Sequence, residues 1–162
     1  MSRTSRLLAA GAKPAGLGAR DTLRLEVGYP LYGHELGPDR TPVAAARGAF
    51  IDATKDFIGR AACVRDLDAG CAQYLVGLRL ESRRAARAGD RVTADGAEAG
   101  VVTSGSFAPS VDGAVAMAYV DAARTTPGTR MAIESRGAVL AAEVVDLPFW
   151  TRGTARGLPA AL

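Results

Sequence analysis

Histidine, lysine and cysteine are almost missing from this chain of 162 residues, and each shortage removes a class of chemistry. His34 is the single histidine, so no catalytic triad can rely on another one. Cys63 and Cys71 lie too far apart in sequence for a C-x-x-C redox or zinc pair, so no metal is expected. No apolar run approaches the roughly 20 residues of a membrane helix, because glycine, arginine or aspartate interrupts every candidate. The apolar stretch in the N-terminal MSRTSRLLAAGAKPAG, LLAA, is shorter than the roughly 7 to 15 residues of a signal-peptide core. The expectation is a soluble, cytoplasmic protein without a membrane partner.

Lys13 and Lys55 are the only lysines, so the positive charge is almost all arginine, and the formal net charge is only +3. So small an excess is not the footprint of a dedicated nucleic-acid binder. Aromatic residues make up 6% of the chain and are few in the strand-like segments, which argues against a stacking platform for RNA. A dinucleotide fingerprint is missing as well. In GLGARDTLRLEVGYPLYGHE, residues 16–35, the place of the third glycine holds Asp21, whose carboxylate would repel a phosphate.

What is present is apolar: 48% of the residues, enough for one ordinary domain or a small domain and part of another. The first third reads as helix and turn. A helix is expected from Arg20 to Val27, with Leu17, Leu23 and Leu25 on its inner side and Arg20, Arg24 and Glu26 reaching outward. Gly28 and Pro30 stop it. Asp21 and Thr22 read as helix-start residues, Arg24 and Glu26 as structural ion-pair formers, and GHELGPDRTPV as a loop carrying His34. A second helix is expected over 57–68. After Gly70 the period changes to two, with strands predicted over 74–81, on both sides of an Asp95-Gly96 turn, and over 115–120, 130–135 and 139–145. Arg136-Gly137 turns the last pair, and VTSG, residues 102–105, reads as a strand ending in a turn. The fold class is therefore α+β, mainly β, with an antiparallel β-barrel or sandwich after a short helical portion.

Taken in order, GLGARDTLRLEVGYPLYGHEL, TP, DFIGR, VTSGSFAPS, AMAYVD, PGT and LPF resemble the glycine cleavage T-protein family, the tetrahydrofolate-dependent aminomethyltransferases. The likeness runs from about Leu7 to Arg156. Related folate domains fused to sarcosine and dimethylglycine dehydrogenases carry similar blocks, but the uninterrupted GARDTLRLE and LYGHEL favour the T-protein itself. The resemblance implies transfer of a one-carbon unit from an aminomethyl group on a lipoyl carrier protein to tetrahydrofolate, with release of ammonia. It also implies a division of this chain. Residues 1–65 correspond to the end of the folate-binding domain, 70–152 to a Greek-key type C-terminal barrel, and 153–162 to a tail. The family's catalytic aspartate and pterin-binding glutamate lie upstream of anything matching Leu7, so no catalytic residue is expected in this chain. A separately encoded N-terminal half is then a possible partner, beside the lipoyl carrier.

Residue by residue, the resemblance places a folate contact at Arg20, the arginine of GARD. A guanidinium, always charged and forked, suits a carboxylate or polarised carbonyl on an anionic ligand. The alternative is a local ion pair with Asp21 or Glu26. Tyr29 and Tyr32 could line a pterin or benzoate pocket or simply pack at the helix end. Arg156 is a further candidate for a basic side chain beyond the PF block, with Arg152 as its rival. The arginines at 79, 83, 84, 87 and 91 could steer an acidic lipoyl carrier or line a solvated loop. Cys63 and Cys71 read as unreactive thiols. Ser104 and Ser106 lack a base that would make either a nucleophile. One departure stands out: family members usually carry a glutamate after TPV and often an aromatic or glycine-rich block following it, where this chain has Ala44, Ala45, Ala46, Arg47, Gly48, Ala49 and Phe50, so the wall of the pocket lacks that carboxylate. A folate-binding remnant without transfer activity is the alternative function.

Overall fold

The computed structural model describes residues 2–153. Three helices come first, α1 (Arg3–Ala9), α2 (Leu17–Glu26) and α3 (Arg60–Ala69). Six strands follow: β1 (Gln73–Leu80), β2 (Arg91–Ala94), β3 (Ala97–Ala108), β4 (Gly113–Asp121), β5 (Arg130–Ser135) and β6 (Ala138–Val145). They close into an antiparallel barrel in the order β1-β4-β3-β2-β5-β6, with β6 pairing back onto β1. The consecutive strands β2, β3 and β4 lie side by side and β1 returns beside β4, which is the Greek-key pattern expected. Closure leaves no unpaired edge. Among the described residues no helix is long and apolar enough to cross a membrane.

Two turns set the register of the sheet. Asp95 and Gly96 have φ of +53° and +79°, and Arg136 and Gly137 have φ of +48° and +74°. Positive φ at both central residues is the primed two-residue turn, whose twist matches that of the strands it joins. Val76, Leu78, Val92, Val102, Val120, Ile133, Leu140 and Val144 fill the barrel between small residues such as Ala114, Ala116 and Ala118. Gly100 marks the closest backbone approach: a side chain there would collide with the carbonyl of Tyr119.

β4 is buried on both faces. Its even-numbered alanines and Val120 point into the barrel, while Val115, Met117 and Tyr119 point outward into a second cluster with Leu25, Ala44, Leu75 and Ala108. This second core holds the helical portion on the barrel. The segment after β6 crosses back to it, with Leu147 and Phe149 packed on the same cluster and the Trp150 N–H donating to the Glu26 carbonyl at 2.8 Å.

Several local expectations change. α2 begins at Leu17, so Asp21 and Thr22 stand in its second turn and not at its start. Leu17 and Leu23 are exposed, whereas Leu25 and Glu26 are buried. Helix α3 starts only at Arg60, because Gly59 has a φ of +90° and cannot continue a helix from Phe57. The VTSG block lies inside β3, because a register shift between Val102 and Ser104 absorbs Thr103 as an extra residue and the strand carries on.

Ser135 Oγ is buried at the barrel end without a hydrogen-bond partner. A stranded hydroxyl costs about 1–3 kcal/mol of desolvation. Ser135→Ala is expected to leave stability unchanged or raise it by about 1 kcal/mol. Urea unfolding checks this, and a loss of that size would contradict it.

Candidate functional site

The bulge in β3 does more than extend the strand. With Thr103 taken out of register, its hydroxyl donates to the Met117 carbonyl at 3.0 Å, and its own carbonyl lies 3.1 Å from His34 Nδ1. Ser104 is thereby aimed at α2. Its Oγ–H donates to Glu35 Oε1 at 2.5 Å, and the same oxygen accepts from Arg24 Nη2 at 2.7 Å.

Arg24 and Glu35 form the centre of this arrangement. Arg24 Nη1 donates to Glu35 Oε2 at 2.8 Å, with side-chain exposures of 10% and 0%. The Leu31 N–H donates to the same carboxylate oxygen at 2.9 Å, and the Tyr119 hydroxyl donates to the Glu35 carbonyl at 2.8 Å. Arg24 Nε reaches Asp21 at 2.8 Å. A buried ion pair is tolerated only when its remaining donors and lone pairs are satisfied, and here they are, by groups from α2, the loop after it and β3. The pair forms instead of the expected one between Arg24 and Glu26. Glu26 is held separately by the Ser110 N–H at 2.8 Å and Ser110 Oγ–H at 2.6 Å. Burial raises the Tyr119 phenol above its ordinary value, with Arg40 opposing, so it stays a proton donor at neutral pH. The Arg40 guanidinium covers the Tyr119 ring at 3.6 Å.

Arg20 lies one turn before Arg24 on α2 and is exposed. Asp21 is committed to Arg24 and Glu26 to Ser110, so both acids named for the local ion pair are occupied elsewhere. Among the described residues Arg20 makes no ion pair. Tyr29 and Tyr32 are exposed on the loop that Glu35 pins. Tyr29 lines a cavity of about 340 Å³ with Arg47, Leu147, Pro148 and Trp150. Arg47 is anchored there by a 2.8 Å bond to the Gly28 carbonyl, and Arg152 stacks over the Trp150 ring at 4.9 Å. The structure thus brings Tyr29 and the chain beyond the PF block to one place. Arg156 lies outside the described residues.

Ala44 is buried in the second core, its carbonyl accepting from the Leu75 N–H at 2.8 Å. The five arginines of 79–91 are each tied to an acceptor on or beside the barrel, Arg83 to Asp112 at 3.0 Å and Arg91 to Glu134 at 2.6 Å among them. Cys63 is buried, and burial pushes the Cys71 thiol up, against any role as a thiolate. Among the described residues no group of three or more histidine, cysteine or acidic side chains could hold a metal ion. Sequence reasoning missed Glu35, Ser104 and Tyr119. Glu35 stands 69 residues from Ser104 and 84 from Tyr119, so no local spacing could have joined them.

A closed six-stranded Greek-key barrel with a helical layer packed on its outer face defines the class of this module. Residues 74–150 match the glycine cleavage T-protein C-terminal barrel domain, and residues 4–55 match the GCVT N-terminal domain. The chain belongs to the glycine cleavage T-protein family. It is 48% identical over 145 residues to an aminomethyltransferase of Saccharopolyspora erythraea, covering 88% of this chain and 40% of that one. With an aminomethyltransferase of Moorella thermoacetica it shares 47% over 144 residues, 88% of this chain and 39% of the relative. The crystal structure of the glycine cleavage system aminomethyltransferase T from Bartonella henselae superposes with a TM-score of 0.83 at 40% identity, over 89% of this chain and 41% of that one. The chain thus spans about 40% of the length of these relatives.

Glu35→Ala should cost about 3–5 kcal/mol, since it leaves Arg24 buried without its partner, and Ser104→Ala about 1–2 kcal/mol. Denaturant midpoints give both values, and a cost near zero for Glu35→Ala would contradict the pairing. A hydrogen bond from Thr41, followed by Arg65, holds the Asp66 carboxyl below its ordinary 3.8. A depressed folded value means that this stabilisation is complete above the ordinary value and is lost as pH falls through the lowered one. Thr41→Val should therefore flatten the loss of stability below about pH 4, as pH-dependent melts would record; an unchanged acid limb would contradict it.

Proposed function

We propose that this chain supplies the folate-side C-terminal part of an aminomethyltransferase of the glycine cleavage system. The whole reaction passes the one-carbon unit of an aminomethyl group on a lipoyl carrier protein to tetrahydrofolate and releases ammonia. In this reading residues 1–65 are the end of the folate-binding domain, 70–152 the barrel and 153–162 a tail, and the protein works in the cytoplasm. The observation that carries it is Arg20, exposed on α2 while both neighbouring acids are engaged by other groups.

The residue types suit such a ligand, with Arg20 outside the lining of the Tyr29 cavity. A folate is planar at one end and carries carboxylates at the other. Arg20 offers forked charged donors for a carboxylate or carbonyl, and Tyr29 and Trp150 offer aromatic faces in one cavity. Arg152 and Arg156 are the basic groups nearest in sequence to that cavity's C-terminal wall. The catalytic groups belong to the part of the family's fold that precedes this chain's match, so turnover requires that part and the lipoyl carrier as partners. The buried Ala44, in place of a glutamate, favours one second reading, folate binding without transfer.

Calorimetric titration of the full chain with tetrahydrofolate tests the proposal. Binding is expected, with Arg20→Ala weakening it at least about tenfold, the loss of roughly 1.4 kcal/mol. No heat at millimolar ligand would overturn an independent folate site, and an unchanged affinity in the variant would overturn its placement at Arg20. Addition of a relative's N-terminal portion and a lipoyl carrier separates the two readings, since only the first predicts methylenetetrahydrofolate.

A further inference from the structure

We infer that Arg47 is a specificity-determining residue of the cavity beside the end of α2, where its guanidinium takes the carboxylates of a benzoylglutamyl group, the acidic half of a folate. This rests on the reading of the ligand as a folate. It gives Arg47 a task that Arg20 does not perform, because Arg20 is absent from the lining of that cavity. Beside the guanidinium the lining is neutral, with Tyr29, Leu147, Pro148 and Trp150 as its larger side chains and no acid among them. At about 340 Å³ the cavity has room for one ring with its substituents, at the lower end of ligand-sized cavities.

Arg47 is half-buried and held from two sides. Its Nη2 donates to the Gly28 carbonyl at 2.8 Å and its Nη1 to the Ala46 carbonyl at 3.1 Å, which leaves the Nε–H and one hydrogen on each Nη unused among the described residues. Anchoring at the helix end thus explains where the side chain sits, but not its remaining donors. Nor does it explain the charge. Among the described residues Arg47 forms no ion pair, not even with Asp146, which lines the adjoining cavity beside it.

The backbone fixes this arrangement in advance. Ala46 has a φ of +56°, the left-handed conformation that favours glycine, and it closes a turn in which the Arg47 N–H donates to the Pro42 carbonyl at 2.7 Å. Strain of this kind collects at ligand sites. The Trp150 wall is tied to the same helix through its backbone N–H, which donates to the Glu26 carbonyl at 2.8 Å. Cation and ring are therefore both built on the end of α2 before a ligand arrives, which lowers the cost of ordering them. Arg152, over the Trp150 ring at 4.9 Å, adds positive charge at the rim. A fixed fork of charged donors in an aromatic cavity suits an aryl group that carries carboxylates.

Trp150 is the only tryptophan of the chain, so its fluorescence reports this cavity. The test titrates the full chain with benzoylglutamate and with its neutral diamide, in which both carboxylates have become amides. The wild type should prefer the acid by about tenfold or more. Arg47→Gln should abolish that preference by weakening the acid and leaving the diamide within about twofold, a change of ratio that a merely structural role would not produce. Arg47→Lys keeps the charge without the fork and decides the matter should the glutamine variant unfold: its preference should fall by about threefold or more. The inference is overturned if Trp150 does not respond to millimolar benzoylglutamate, if Arg47→Gln loses acid and diamide equally, or if the lysine variant keeps the full preference. Tetrahydrofolate is titrated separately. Benzoylglutamate bound through Arg47 by a chain that ignores tetrahydrofolate would defeat the folate reading alone. Tetrahydrofolate held equally by the wild type and by Arg47→Gln would defeat this inference alone.

Discussion

An arginine and a glutamate taken out of water together determine how the halves of this molecule meet. Neither Arg24 nor Glu35 could be buried alone, since an unpaired charge in the interior costs several kcal/mol. Their geometry is satisfied only when α2, the loop over 29–36 and the bulged middle of β3 occupy their observed places together. The apolar cluster around Tyr119 supplies the attraction between helix and barrel, which is non-directional. The ion pair supplies the register.

The bulge at Thr103 is what makes the pair possible. Without the extra residue Ser104 would follow the alternation of the strand and point into the barrel. With it, the hydroxyl turns outward and bridges acid and base. The same network that buries Arg24 occupies Asp21, and thereby leaves the guanidinium one turn earlier without a local acid. A structural pair so set leaves the residue proposed to meet the ligand free of local competitors.

Much of the barrel was legible in the sequence, because its signals are local. Asp95-Gly96 and Arg136-Gly137 announce primed turns, and alternation fixed β5 at its observed bounds and β6 to within a residue. The helical layer was read less well. Leu17 and Leu23 look like core residues by composition, yet they are exposed, because the positions of α2 that face the barrel are Arg24, Leu25 and Glu26. Charged residues at inward positions are legible only once their partners are known, and Glu35, Ser104 and Ser110 lie in other segments. Arg20 came from a family resemblance, not from spacing. The structure adds why it stands free.

The most direct test of this account is native-state hydrogen exchange of three amides that join the layer to its supports: Leu31 to Glu35, Leu75 to Ala44, and Trp150 to Glu26. If the buried pair fastens layer and barrel into one cooperative unit, these amides exchange with the same opening free energy as the central strands β3 and β4. Exchange of Leu31 and Trp150 orders of magnitude faster than β4, with the barrel still protected, would show that the layer opens by itself and that the pair does not hold it.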